Sequence, residues 1–147
     1  MKKQGGMMLI EVLVSMLLLA FALLALVSSK ANAIKNAGDA QLRTEASYLA
    51  NQIIGQMWVD RANLANYAHN PVTVGTCNFT VSASALAAVT NWIGNSSSKG
   101  TVLGTLPNGV AQILANGGTG EVTVTVCWRA PQETQVHSFS TSTMISG

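Results

Sequence analysis

Among the 147 residues of this chain, the one whose type and surroundings call first for a chemical explanation is Glu11. It lies in the run Met7 to Val27, where Ser15 is the other polar member. An ionised carboxylate in hydrocarbon costs roughly 2.5–3.5 kcal/mol on insertion scales, so an acid placed there calls for a partner and a task. A cut between Gly6 and Met7 would create an α-amino cation at the head of the apolar run, and Glu11 would pair with it in lipid. His69 and His137 are isolated, without a second ligand at metal spacing, and are expected as surface or turn histidines; no metal and no cofactor is expected. No G-x-S-x-G elbow accompanies the many serines. Asn116 to Gly120 lacks the G-K-[ST] of a phosphate loop, and Lys99-Gly100-Thr101 has the wrong order. No active site is legible, so neither an enzyme nor a small-molecule substrate is expected. Two N-glycosylation sequons, Asn78-Phe79-Thr80 and Asn95-Ser96-Ser97, read as chance matches.

The element that must position Glu11 is a helix. At 1.5 Å per residue the run Met7 to Val27 spans about 30 Å of hydrocarbon, enough to cross a membrane. Beyond it no proline occurs before Pro71, and Leu42, Ala46, Leu49, Ile53 and Met57 recur at helical steps on one face. The spacing predicts one helix over residues 7–59, its first half in lipid (7–27) and its second half laying an apolar stripe on a sheet. Eight Lys and Arg oppose six Asp and Glu, and with Lys2 and Lys3 set aside the remainder is neutral, which argues against nucleic-acid binding. Lys2 and Lys3 before the span place the N-terminus in the cytoplasm and the main domain outside it, although Lys30 and Lys35 weaken that bias. Cys77 and Cys127, the only cysteines, are then expected to pair, with two buried thiols as the alternative.

The short basic leader ending in Gly6, the apolar residue after it and the Glu five residues beyond the cut resemble the class III signal of type IV pilins and pseudopilins. That resemblance implies cleavage by a prepilin peptidase between Gly6 and Met7, N-methylation of Met7, and a role for Glu11 in docking the subunit into a growing filament. Residues 1–6 would be the leader. The pilin architecture, a long helix whose second half packs on a small antiparallel sheet, is an α+β fold with an extracytoplasmic region over residues 60–147. Major pilins commonly carry a proline where the helix leaves its most apolar section, and Ser28 and Ser29 stand there instead. Gly38 and Gly55 are expected to soften the helix.

In the globular region, Asp60 to Val74 reads as a helix end and a loop around Asn70-Pro71. Cys77, Phe79 and Val81 alternate as a short strand, and Ser84 is placed to cap a helix running to Ile93, with Leu86, Val89 and Ile93 on one side. Gly94 to Thr105 is rich in Ser and Gly and is expected as an exposed loop. Turns follow at Leu106 to Gly109 and at Asn116 to Gly120, flanking a strand over Val110 to Leu114. Glu121 to Arg129 alternates most cleanly, with Val122, Val124, Val126 and Trp128 on one face, and Gln135 to Ile145 returns as its antiparallel partner, its hydroxyls on a solvated face. Three or four strands are expected. Trp58, Trp92 and Trp128 fall at the edges of apolar patterns and are expected in the core.

The order L-P-N-G, strand, glycine turn, V-T-V-T-V-C-W and final strand is similar to the V-type minor pilins, the type IV pilus modification proteins. The M-L-I-E-V-L-V-S-M-L-L-L start is similar to that group and to I-type minor pseudopilins of type II secretion. These similarities imply a minor subunit that primes pilus assembly and sits in the tip complex, in fimbriae serving adhesion or motility. Implied partners are other minor and major pilins, the prepilin peptidase, the inner-membrane assembly platform and, before assembly, the membrane itself. A type II secretion pseudopilin and a membrane-anchored binding protein are the alternatives.

Overall fold

The computed structural model describes residues 5–74, 76–131 and 133–145, with side chains from Met8 onward. Lys2 and Lys3, on which the expected orientation rests, lie outside the described residues. The chain divides into two compact units, Met1–Asp39 and Ala40–Gly147. Helix α1, Gly5–Val59, supplies residues to both.

In the first unit every side chain from Met8 to Val27 is exposed. In water such a surface would be strongly unfavourable, whereas a hydrocarbon solvent accepts it and a helix satisfies its own backbone there. By length and composition α1 contains a stretch apolar enough to cross a membrane once. Ser15 adds no open polar group, because its hydroxyl donates to the Glu11 carbonyl one turn back at 2.7 Å.

In the second unit, α1 buries the predicted stripe. Ala46, Leu49, Ile53 and Met57 are wholly buried and Leu42 is half-buried, while Ala50 and Ile54 widen the stripe to the full face of a helix against a layer. Burial of each Leu, Ile or Met stabilises by about 1.5–3 kcal/mol, so the stripe outweighs the ~1 kcal/mol that Gly55 costs relative to Ala. Trp58 departs from expectation: one step past Met57 it turns off the buried face and is 44% exposed. Asp60 then ends the helix. Its carboxylate accepts from the Asn63 amide at 2.7 Å and the Tyr67 hydroxyl at 3.3 Å, shaping the turn into a 3₁₀ helix, Arg61–Tyr67.

Among the described residues five strands follow in two sheets. β1 (Val72–Thr73) pairs antiparallel with β2 (Phe79–Thr80), and β3 (Val110–Ala115), β4 (Glu121–Trp128) and β5 (His137–Met144) form an antiparallel sheet in that order. The register sets Val126 opposite Ala111 on one side and Phe139 on the other. Alternation then sends Val122, Val124, Val126 and Trp128 inward against the second half of α1, as their spacing predicts. The fold is α+β, a long N-terminal helix packed through its second half on a small antiparallel sheet.

Four short elements differ from expectation, the first being β1, a strand where a loop was expected. The predicted strand from Cys77 to Val81 shrinks to β2, because Cys77 and Val81 both take positive φ, 59° and 112°. Helix α2 (Ala87–Ile93) starts after Leu86, and Ser84 shapes the turn before it: its hydroxyl accepts from Leu86 N at 3.2 Å and donates to the Asn66 carbonyl at 2.6 Å. Val89 and Trp92 form its buried side, with Leu86 and Ile93 half-buried beside it. The expected exposed loop from Gly94 to Thr105 is ordered by Thr101, which caps a one-turn helix α3 (Val102–Thr105) by accepting from Gly104 N, and Val102 is wholly buried.

Candidate functional site

Glu11 occupies one face of α1 with Met8, Val12, Ser15, Met16 and Leu19, the spacing that lines up side chains on successive turns. Its apolar neighbours are about half to three-quarters exposed, from 53% at Val12 to 72% at Met8. Among the described residues no group bonds the Glu11 carboxylate. The result is a carboxylate acceptor set in a bare apolar surface, which can pair with a cation. Gly6 and Met7 belong to the first turns of α1, and their side chains lie outside the described residues.

Cys77 and Cys127 are joined by a disulfide, with Cα atoms 6.0 Å apart. Cys127 points to the face of the sheet away from α1, opposite the valines of its own strand. The bond therefore fastens the β1–β2 hairpin to that outer face. Gln112 on β3 fastens it too, donating through Nε2 to the Asn70 carbonyl at 2.9 Å and the Thr73 hydroxyl at 3.0 Å while only 4% exposed.

His69, expected at a surface or turn, is in a turn but buried, 8% exposed. Its backbone closes both hydrogen bonds of a bridge to Ile113, at 3.0 and 2.9 Å, and its Nδ1 accepts from Ser84 N at 3.1 Å. Accepting at Nδ1 puts the proton of the neutral ring on Nε2, and the Asn70 side-chain amide, 3.0 Å away, satisfies it by turning its oxygen toward the ring. Burial pushes the His69 pKa below its ordinary value. Burial, followed by the nearby Asp60 carboxylate, raises that of Tyr67.

No protein-family model, curated protein or solved structure matches this chain. His137 is not isolated: its Nε2 lies 2.8 Å from Glu133 Oε2, and its ring stacks on Trp128 with centroids 5.9 Å apart. Trp92 and Trp128 are in the core, each 3% exposed, as expected. Sequence reasoning missed Gln112 and the role of His69, because both act through partners fifteen or more residues away or at a bridge that no local pattern encodes.

Proposed function

We propose that this chain is a minor pilin subunit of a type IV pilus, acting in the priming of assembly and in the tip complex. The observation that carries the reading is Glu11, a carboxylate without a bonding partner among the described residues, on an exposed apolar helix whose continuation packs on an antiparallel sheet. In this reading a prepilin peptidase cuts after Gly6 and Met7 is N-methylated. The precursor stands in the inner membrane with its disulfide-bonded region in the periplasm. Glu11 then pairs with the α-amino group of a neighbouring pilin, and the apolar helix leaves lipid for the helical bundle of a filament. Charge pairing decides where the helix docks, while apolar contact between helices holds it there.

The test is the intact mass and N-terminal sequence of the protein from sheared surface filaments, for the natural chain and for Glu11→Ala. A natural chain beginning at N-methylated Met7 in pili, with a folded Glu11→Ala chain absent from them, supports the reading. Normal recovery of Glu11→Ala in pili overturns the role of the carboxylate. A processed chain missing from pili, whose loss stops enzyme export, moves the assignment to a type II secretion pseudopilin. An uncut membrane monomer makes it an anchored binding protein.

A further inference from the structure

The two edges of the three-stranded sheet are treated differently. At the β3 edge, His69 occupies both the N–H and the carbonyl of Ile113. At the other edge, β5 pairs with β4 alone among the described residues, through eight consecutive residue pairs without a bulge. Soluble proteins usually protect a long edge with charge, proline or a bulge. From Ser138 to Met144 β5 has no charge and no proline, and its residues alternate between half-buried and exposed.

The exposed set is Ser138, Ser140, Ser142 and Met144. A hydroxyl both donates and accepts, so it matches another hydroxyl, whereas a charge cannot face its own copy without repulsion. Such a surface suits an isologous contact, in which identical patches meet. Ser140 already bonds Thr125 at 2.9 Å and keeps acceptor capacity beyond that bond. An antiparallel two-fold pairing centred on Ser140 would set Ser138 against Ser142 and Val136 against Met144, matching hydroxyl to hydroxyl and apolar to apolar. We propose that β5 is the docking edge for a second copy of this chain, joined strand to strand in antiparallel register about Ser140. The contact goes beyond the pilin reading and does not depend on it.

Cross-linking of the full chain in detergent micelles tests this. With Cys77 and Cys127 in their disulfide, an introduced cysteine is the one free thiol. Facing residues of an antiparallel pair have Cβ atoms about 4.5–5.5 Å apart, whereas Ser142 and its own copy would be offset by about 14 Å along the strands, beyond disulfide reach. Under mild oxidant Ser140→Cys is expected to form dimers several-fold more than a Thr119→Cys control in an exposed turn. Ser142→Cys alone, which faces Thr123 and not a cysteine on β4, is expected to stay monomeric. Monomers throughout, equal cross-linking at 119, 140 and 142, or dimers of Ser142→Cys with itself would each overturn the proposal.

Discussion

The indole Nε1 of Trp92 donates to the backbone carbonyl of Leu49 at 2.9 Å, a buried bond between α2 and the sheet-packing half of α1. The tryptophan thereby acts as both filler and tie, because its ring occupies the core while its single polar atom is satisfied on the helix. Trp92→Phe keeps most of the ring and deletes the donor. A loss of about 1–3 kcal/mol is expected, combining one hydrogen bond with a small cavity. Chemical denaturation of the full chain in detergent measures it, and no loss would mean that the bond adds nothing to packing.

The disulfide predicts a redox-dependent stability. In the chain-entropy model a closed loop of about 50 residues stabilises by roughly 4 kcal/mol. Reduction, or the paired change of Cys77 and Cys127 to Ser, should lower the melting temperature by many degrees. The β1–β2 hairpin should loosen first, since without the bond it is held mainly by Gln112 and its partners. Proteolysis between Asn70 and Ser82, compared before and after reduction, reads this directly.

His69 predicts a loss of stability toward acid. Its folded pKa lies below the value near 6.5 of an unfolded histidine, so the unfolded chain takes up the proton first. The contribution is intact above about pH 6.5 and falls as pH drops from there toward the folded value. Protonation would also set a donor at Nδ1 against Ser84 N–H. His69→Gln should flatten the slope of unfolding free energy between pH 7.5 and 5, and an unchanged slope would assign the acid sensitivity to other groups.

Two glycines should respond in opposite directions to alanine. Gly120 holds φ 74° in the β3–β4 turn, and a Cβ there would run into the Ile145 carbonyl; Gly120→Ala should destabilise by about 1–3 kcal/mol. Gly55 sits within α1 with nothing near its missing Cβ. Gly55→Ala should stabilise by up to about 1 kcal/mol. Thermal melts of the two variants side by side test both signs.

What could be read beforehand was what repeats. The stripe from Leu42 to Met57 and the alternation of β4 each express one local period many times over, so the helix face and the inward valines follow from sequence. Glu11 was legible for the opposite reason, as the one charge where no charge belongs. The features that sequence did not disclose are single events. Thr101 orders a Ser- and Gly-rich segment because Val102 finds a place in the core. Val81 adopts a backbone that valine avoids, beside a hairpin clamped by a distant cysteine and a distant glutamine. Such choices are made by contacts between segments and leave no periodic trace.

The position of the disulfide also sets how far this chain can stretch under load. A pull applied between its two ends bypasses the loop between Cys77 and Cys127, whose sequence separation is 50. At about 3.3–3.6 Å per extended residue, roughly 170 Å of contour is withheld from extension while the bond is intact. β5 lies beyond Cys127 and outside that loop. The oxidised chain can thus yield at its last strand and still keep α2, α3 and β3 within a covalent ring.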